Sequence, residues 1–531
     1  MSSTIGGVRI VDMPDLGTVD DTSSMVGERA GSGRFAATAF KSYVTGGLAT
    51  SASVDAETTA RIAAATGLSA QSYGVVGDGV ADDTAALQAA IDAATAAQEA
   101  LYIPGGRYLI SAPLRIVRGV RIFGAYAEPQ VTLFSVTPNP GGAGTWLVLN
   151  GAHLVSAILI NPAGTPSASN QATGVEIAYL GICHAQPSPA SSWSPYNYPP
   201  AIDIPAGSDV FLHDLCLLNP TTGIRAAGQS AGRLTLQRIV GQPLTNGIIL
   251  DNQTDIVKIR DVHFWVYWSE DTNVLAWQKA NGFALQLGRC DDPVIDSFFS
   301  LWYWVGCQIK ATSNGGVSQA RFANCDWDEC GNPFIINDSV GGHVVFLSGC
   351  SLGCPASPVV ATSCLEIAGT GSASVVCVTG CWLGNPGNSC VLITSTASGN
   401  QVRLSACNLH QWDRTNTGSY CLNAGTNSVI HADETTVAFS TNSGNNVLEG
   451  AQCLKTPGLW LSRGTMGAGV TSVSVGHLMN VVPDMVVVTP NAAWGAATQW
   501  WATADAANVV VHTNIAPGIN VPYSVLLGVI N

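Results

Sequence analysis

The chain has 531 residues, a net charge of −14 and only 11% charged side chains. The length exceeds what one ordinary hydrophobic core supports, and the negative charge argues against nucleic acid and anionic membrane surfaces as partners. No apolar run reaches the length of a membrane span, and residues 1–20 lack the basic start and apolar run of a secretory signal. We therefore expect no nucleic-acid binding, no membrane insertion and synthesis in a cytoplasm without a signal peptide.

Residues 1–66 differ in character from the remainder of the chain. Residues 8–11 are a short strand candidate, and residues 27–34 are rich in turn-forming residues. Residues 54–65 predict a short helix that Gly67 ends. Such a helix is marginal alone, and a bundle of identical copies would stabilise it. We predict a separate N-terminal segment over 1–66 that includes a neck helix.

Residues 71–111 combine a turn, a helix and two strands. Asp78, Asp82 and Asp83 precede a helix predicted over 83–97, and its buried stripe consists of Leu87, Ala90, Ile91 and Ala94. The three aspartates occupy a turn, an N-cap and the first turn of a helix, which are positions that aspartate favours. We therefore assign them a structural role and no chemistry.

The same segment carries a resemblance to a known family. YGVVGDGVADDTAALQAAIDAA followed by LYIPGGRYLIS resembles the opening of the pectate-lyase-like superfamily, which includes rhamnogalacturonase-type β-helices and bacteriophage tailspikes. The motif is specific for the fold and weak for the reaction. In that family the element caps the N-terminal end of the β-helix.

The N-terminal run VRIVDMPDLGTVDDTSSMVGERAGSGRF resembles the virion-attachment segments of phage tail proteins. Together the two resemblances imply a phage tailspike located in the virion tail. Such a protein would join the phage tail or baseplate through its N-terminus, form a homotrimer and bind a bacterial surface polysaccharide. Residues 1–66 would then be a virion-attachment segment and neck helix.

One phrase recurs between residues 210 and 423: an apolar residue, two polar or small residues, an apolar residue, a free position and usually another apolar residue. Its eight starts are 23 to 36 residues apart, at Leu212, Leu236, Ile259, Ile295, Phe322, Leu347, Val378 and Leu404. Twelve residues after six of these starts stand Ile224, Ile248, Cys307, Phe334, Val359 and Cys390. Two strand phrases per period of this length predict an all-β fold, a right-handed single-stranded parallel β-helix over 67–455.

The fifteen cysteines include no CxxC pair. Cys325, Cys350, Cys381 and Cys407 share one position of the repeat, and Cys307, Cys390 and Cys421 share another. Residues stacked in a row point inward side by side, not toward one centre, so we expect packed thiols and neither disulfides nor a metal site. No cofactor is indicated.

Residues 456–531 change to spaced strands, predicted at 470–475, 485–489, 498–502, 509–512 and 522–529. They predict a small C-terminal antiparallel β-sandwich and a trimerisation domain. We expect its Trp494, Trp500 and Trp501 to lie in the core or at a subunit contact, although such terminal modules can bind glycans.

Alternation along the strand that contains Cys325 and Trp327 places Asp326 and Asp328 outward, beside aromatic coils. Aromatic rings stack on sugar faces, and carboxylates supply the acid and base of glycoside hydrolysis. The predicted catalytic residues are Asp326, Asp328, Glu329 and Glu270, the last only if the insertion after Phe264 folds back. The predicted substrate-binding residues are Trp265, Tyr267, Trp268, Asp271, Trp302, Tyr303, Trp304 and Trp382.

Hydrolysis of a capsule, exopolysaccharide or O-antigen is the predicted reaction, and two alternatives stay open. A polysaccharide lyase would use His263 or Tyr267 as base, but needs cations to neutralise a uronate, and the nearest in sequence are Lys279, Arg289 and Lys310. A non-catalytic receptor-binding fibre would keep the rings and need no acid pair. The site itself has an alternative location between subunits, with Glu366 or Asp413.

Overall fold

The structure is a computed structural model. It describes residues 67–127, 143–161, 173–394 and 398–433, without positions 358, 360 and 426, and then 436–438, 453–454, 460–477 and 482–528. It also describes two short antiparallel hairpins, Thr4–Ile5 with Val8–Arg9 and Ser24–Val26 with Arg34–Ala36. Residues 1–67 and 68–531 form two compact units. The helix predicted over 54–65 lies outside the described residues.

Two large sheets, in which the strands pair in parallel, form the body of the second unit. The first has eleven strands, and they are Leu114–Ile116, Ile158–Ile160, Ile202–Ile204, Thr222–Ala226, Asn246–Leu250, Phe283–Leu287, Val305–Ile309, Asn332–Asp338, Leu365–Gly369, Val391–Ile393 and Leu422–Asn423. Each strand pairs with the strands of the coils before and after it, as in Cys307 opposite Leu285 and Phe334. The predicted parallel β-helix is therefore confirmed.

The second sheet has twenty-four strands and follows the chain around the other faces of the coils. Its members are Leu68–Ser69, Asp78–Asp82, Leu101–Tyr102, Gly106–Ile110, Arg121–Phe123, Thr145–Leu149, Thr173–His184, Ser208–Leu217, Ala231–Gly232, Thr235–Gly241, Gln253–Asp255, Lys258–Phe264, Val294–Leu301, Gln319–Ala323, Asp326–Asp328, Val344–Ser348, Ser351–Gly353, Val375–Thr379, Trp382–Gly384, Gln401–Ser405, Asn408–His410, Val429–Asp433, Thr436–Ala438 and Cys453–Leu454.

Helix α1 (Thr84–Ala97) lies at the start of the β-helix, after a 3₁₀ turn at Ala70–Tyr73, and buries the predicted stripe from Leu87 to Ala94. The Asp82 carboxylate accepts hydrogen bonds from the Thr84 N–H and the Ser111 hydroxyl, and the Asp83 carboxylate accepts from the backbone of Val76 and Gly77. These bonds satisfy turn and cap donors, so the aspartates do have the structural role predicted for them.

A residue in the left-handed conformation stands at the same place in nine successive coils. Its φ lies between 49° and 62°, and the residues are Tyr179, Asp214, Arg238, Asp261, Ser297, Asn324, Gly349, Gly380 and Ala406. It turns the strand so that both flanking apolar residues, such as Leu212 and Leu215, are buried. The corner thus explains the two-residue gap inside the repeated phrase.

The cysteines whose side chains the structure describes are not joined by disulfides. In Cys325, Cys350, Cys381 and Cys407 the thiol donates to the carbonyl two residues earlier, at 3.4 to 3.5 Å between sulfur and oxygen. That carbonyl belongs to the residue just before the left-handed corner. The row of thiols therefore packs in the core and satisfies a polar group at each corner.

The insertion after Phe264 contains helix α2 (Thr272–Asn281). The sequence pattern had indicated coils without helices, and this element is the exception. Gln242 holds the insertion, because its side chain accepts from the backbone of Trp268 and Ser269 and donates to the Gln278 side chain. Across the described residues, no helix is long and apolar enough to cross a membrane.

The C-terminal residues form two three-stranded antiparallel sheets, which confirms the predicted β-sandwich. One sheet contains Trp460–Met466, Val521–Gly528 and Met485–Pro490. The other contains Ser472–Gly476, Asn508–Thr513 and Trp500–Ala504. Trp494 is buried in their common core, as predicted, whereas Trp500 and Trp501 are exposed.

The corner can be tested by a reciprocal pair of substitutions. A Cβ at Gly380 would meet no atom within 4 Å, so Gly380→Ala changes only the backbone preference. We expect it to lower the free energy of unfolding by about 1–2 kcal/mol. Ala406→Gly, at the equivalent corner, should cause no loss, because it relieves the same strain. Thermal unfolding midpoints check both, and an equal loss in the two variants would contradict the role of the corner.

Candidate functional site

Asp326 and Asp328 project from the outer face of one short strand. Trp327 between them is fully buried, as is Cys325 before them. In register, Asp326 stands opposite Phe299 on the preceding coil and Ser351 on the following coil, and Asp328 stands opposite Leu301. The alternation predicted for this strand is therefore found, and the two carboxylates share one face.

Burial raises the pKa of both carboxyls. For Asp326 desolvation is the largest cause, opposed by the Ser351 hydroxyl, and its Oδ1 is buried without a hydrogen-bond partner among the described atoms. For Asp328 desolvation also comes first, followed by the negative charges of Asp326 and Glu329, which raise the pKa further. Such a pair resists double ionisation, which is the condition for one carboxyl to act as acid beside a base.

Trp302 and Glu329 occupy left-handed corners of neighbouring coils, with φ of 62° and 46°. The Trp302 Nε1 donates to the Glu329 Oε2 at 2.9 Å. Lys279, in helix α2, places its Nζ 4.4 Å from the centroid of the Trp302 ring. Both corners are unfavourable for residues with a Cβ, and the arrangement fixes Glu329 next to Asp328. Because Lys279 covers one face of the Trp302 ring, only the other face is available to a sugar.

Trp382 forms the wall on the C-terminal side of the acid pair. A Cβ at Gly384 would lie 2.1 Å from its ring. A Cβ at Gly353 would lie 3.4 Å from the ring and 3.5 Å from the Asp328 Oδ1. Two glycines therefore leave room for the indole, and Gly353 adjoins both the Trp382 ring and the Asp328 carboxylate. His410 continues this wall, with its ring centroid 6.1 Å from that of Trp382.

A second group of rings lies on the N-terminal side. The His263 ring stacks on Phe299 at 4.6 Å, and Phe299 is the direct neighbour of Asp326. The Tyr267 hydroxyl is 2.6 Å from the His263 Nδ1, and Trp265 meets Tyr267 edge to face at 5.5 Å. Burial lowers the pKa of His263 and raises that of Tyr267. Rings thus flank the carboxylates on both sides, in a continuous outward row that we call the groove.

Three predicted substrate-binding residues make structural contacts, two of them as buried side chains, and their binding roles stay predictions. Tyr303 is fully buried and donates its hydroxyl proton to the Pro243 carbonyl at 2.6 Å. Trp268 is buried against Trp193, at 6.2 Å between ring centroids. Asp271 is the N-cap of helix α2, and its carboxylate accepts from the Asn273 N–H. All three fix the insertion and the coils beneath it.

Two other predicted residues lie at the margin. Glu270 is exposed in the segment before helix α2, and no described hydrogen bond or ion pair joins it to the acid pair. Trp304 is half-buried, and its ring lies over Gly331, where a Cβ would approach it to 2.4 Å. Their assigned roles, like those of Asp326, Asp328, Glu329, Trp265, Tyr267, Trp302 and Trp382, stay predictions.

The sequence analysis named Lys279 only as a cation that is near in sequence, and it did not assign Phe299, Ser351 or the two glycines under Trp382 to this site. The glycines were the available signal, because glycine at an outward strand position marks a close approach by another group. The contact of Lys279 depends on where an insertion folds, and no periodicity encodes that.

The alternative acids lie elsewhere. Asp413 is buried and accepts hydrogen bonds from the backbone of Thr417 and Gly418, which makes it a turn residue. Glu366 belongs to the eleven-stranded sheet, where it stands between Ile335 and Leu392 of the adjacent coils. Burial raises its pKa to about 7.

One comparison with known proteins matches the opening of the chain. Residues 68–144 match the family described as rhamnogalacturonase A/epimerase, pectate lyase-like. The match covers only this opening segment of the chain. The resemblance inferred from residues 71–111 is therefore confirmed over this pectate-lyase-like segment. A comparison with curated proteins gives no match.

Solved structures with a similar course of the chain come from phages and bacteria. One is a tailspike, gp49, of Acinetobacter baumannii bacteriophage Fri1, described as a capsular polysaccharide depolymerase (10% identity, 87% of this chain and 86% of that chain, TM-score 0.37). Another is the A-module of the Azotobacter vinelandii mannuronan C-5 epimerase AlgE4 (15%, 71% and 89%, 0.36). A third is a variant of the DFA-IIIase of Arthrobacter chlorophenolicus A6 in complex with DFA-III (13%, 74% and 99%, 0.44). At these identities and TM-scores they carry no argument about reaction or substrate.

Glu366 gives a pH-dependent prediction. Its pKa rises on folding from 4.5 to about 7, so the folded chain holds this proton more tightly than the unfolded chain. The associated stability is complete below about pH 4.5 and is lost as the pH rises through about 7. As the pH rises through this range, we expect the free energy of unfolding of Glu366→Gln to exceed that of the wild type, by about 3 kcal/mol at the alkaline end.

Melting midpoints between about pH 4.5 and 8.5 measure the difference. Glu99→Gln, at an exposed position, is the matched control. A constant offset between Glu366→Gln and the wild type at every pH would refute the assignment.

Proposed function

We propose that this protein is a polysaccharide depolymerase of the phage tailspike type, which hydrolyses a bacterial surface polysaccharide with Asp326 and Asp328. The observation that carries the proposal is the outward pair of carboxyls with raised pKa between two groups of aromatic rings. A groove of this kind offers rings to sugar faces and an acid–base pair to the glycosidic bond. The pectate-lyase-like opening supports the fold on which such a groove is built.

In the proposed reaction Asp328 is the general acid. Two neighbouring negative charges favour its protonated form in addition to burial, so it protonates the leaving glycosidic oxygen. Asp326, beside the Ser351 hydroxyl that favours its ionised form, removes a proton from the attacking water. Alternate residues of a strand are roughly 7 Å apart, a separation that leaves room for water and suits inversion at the anomeric carbon.

Elimination by a lyase is the second candidate, and one observation favours it. The pKa of His263 is lowered by burial, so its neutral ring can accept a proton, and Lys279 brings a cation to the same face. Three carboxylates in the groove nevertheless oppose a uronate, because like charges at close range repel. Ultraviolet absorbance of an unsaturated product distinguishes the lyase, and the absence of new reducing ends distinguishes the non-catalytic fibre.

The acid pair is tested by conservative substitutions. Asp326→Asn and Asp328→Asn should each lower the turnover of host polysaccharide by at least about a hundredfold, the usual size of an acid–base contribution. Folding and glycan binding should be nearly unchanged, because the amide has the shape of the carboxylate. Reducing-end assays with product mass spectrometry measure the effect. Asp296→Asn, an outward aspartate of the preceding coil that binds Asn324, is the control and should keep its activity. Wild-type turnover in both groove variants would place the site elsewhere.

We also propose a homotrimer in which 1–66 attaches to the phage tail or baseplate and 456–531 helps to hold the subunits together. The weak predicted neck helix supports this, since it needs identical partners. Light scattering at micromolar concentration should give three times the chain mass of 54.9 kDa, and the chain lacking residues 1–66 should remain trimeric and active. A monomer mass for the full chain would refute the assembly, and loss of the trimer on truncation would refute the boundary.

A further inference from the structure

The C-terminal sandwich carries a group of side chains that the groove does not use. In the sheet of Ser472–Gly476, Asn508–Thr513 and Trp500–Ala504, the register places Ser472, His512 and Trp501 in one row across the strands. Ser474, Val510 and Thr503 form the next row. Trp501 is 48% exposed, which is high for the largest side chain in a protein.

The Trp501 ring is held in a defined orientation. It lies nearly parallel to the His512 ring, at 14° between planes and 5.3 Å between centroids. The Thr503 Oγ1 is 3.0 Å from the His512 Nε2, so the hydroxyl fixes the imidazole against which the indole packs. A stacked pair held by a hydrogen bond loses little side-chain freedom on binding a ligand.

The environment of Trp500 differs from that of Trp501. It points to the opposite face, where it stacks on Trp494 at 5.7 Å and 7°. Trp494 in turn stacks on the buried Tyr523 at 6.5 Å and 15°. Trp500, although 42% exposed, is therefore an extension of the hydrophobic core, and the core does not explain Trp501.

The chemistry around Trp501 favours one class of ligand. The three strands carry no Asp, Glu, Lys or Arg, and the exposed Ser472, Ser474 and Thr503 lie in the same two rows as Trp501 and His512. The core of a stable subunit contact is mostly apolar, whereas Val510 is the one aliphatic side chain in these two rows. An indole with a flat apolar face and surrounding hydroxyls is complementary to a sugar, which has both C–H faces and hydroxyl edges. Three strands and two rows span roughly 10 by 7 Å, enough for one or two sugar rings.

We propose that this face, formed by Trp501, His512, Thr503, Ser472 and Ser474, is a second glycan-binding site that takes a neutral polysaccharide. It does not depend on the hydrolytic reaction proposed for the groove. Its occupant stacks on the free face of the Trp501 ring and exchanges hydrogen bonds with the hydroxyls.

The test uses the full chain with Asp326→Asn and Asp328→Asn together, so that the glycan stays intact during the measurement. The probes are neutral polysaccharides (dextran, galactomannan, mixed-linkage β-glucan and neutral bacterial capsules) in native affinity electrophoresis. Adding Trp501→Ala should weaken retardation by at least one of them roughly three- to tenfold. Thr503→Val, which frees His512, should give a smaller loss. Trp500→Ala is the matched control on the opposite face and should bind as its parent does.

Light scattering of the same variants tests whether another subunit, and not a glycan, covers this face. A changed oligomeric mass in Trp501→Ala would identify a subunit contact and overturn the proposal. Equal retardation of Trp501→Ala and its parent, or no retardation by any probe, would also overturn it. Hydrolytic activity in the Asp326→Asn and Asp328→Asn variants would instead contradict the function proposed for the groove. The comparison of Trp501→Ala with its parent would still hold, because both chains carry the same groove substitutions.

Discussion

A left-handed residue at one recurring position of the coils is the constraint on which the β-helix depends. It lets two apolar residues that are three positions apart point inward, as Phe322 and Cys325 do around Asn324. Because the corner recurs at one register, the strand after it begins at the same angle in every coil, and like positions stack. The outward position of Asp326 and Asp328 is a consequence of that stacking. Because Cys325 and Trp327 point into the core, the residues that alternate with them point outward.

The same corner explains where prediction from sequence succeeded and where it failed. The phrase with its two-residue gap was enough to orient Asp326 and Asp328. Tyr303, which the sequence suggested as a substrate contact, is buried because Trp302, just before it, is itself left-handed and reverses the alternation of the strand. Val359 was placed in the ladder at a fixed offset, but it is exposed in a longer connection and Leu365 takes the ladder position opposite Phe334. Lengths of connections and the folding of the insertion with helix α2 are tertiary properties that no local pattern contains.

The groove departs from what stability alone would select. Two carboxyls are kept partly out of water, and Trp302 and Glu329 hold backbone conformations that cost free energy. Other acids near the core have donors, as Asp83 has two backbone N–H groups and Asp338 has His343, although Glu366 is a further acid whose pKa burial raises. Such local conflict in an otherwise consistent fold is typical of functional sites. The stacked coils supply the rigidity that maintains it.

The constant rise of the coils also gives the groove a fixed scale. His263, Phe299, Asp326, Ser351 and Trp382 occupy five consecutive rungs of one ladder. Each rung advances by about 4.8 Å, so the backbone positions of His263 and Trp382 lie about 10 Å on either side of that of Asp326. Backbone hydrogen bonds, and not side-chain flexibility, set these distances. The fixed spacing between strands therefore sets the distances between the groups along which an extended polymer can be aligned.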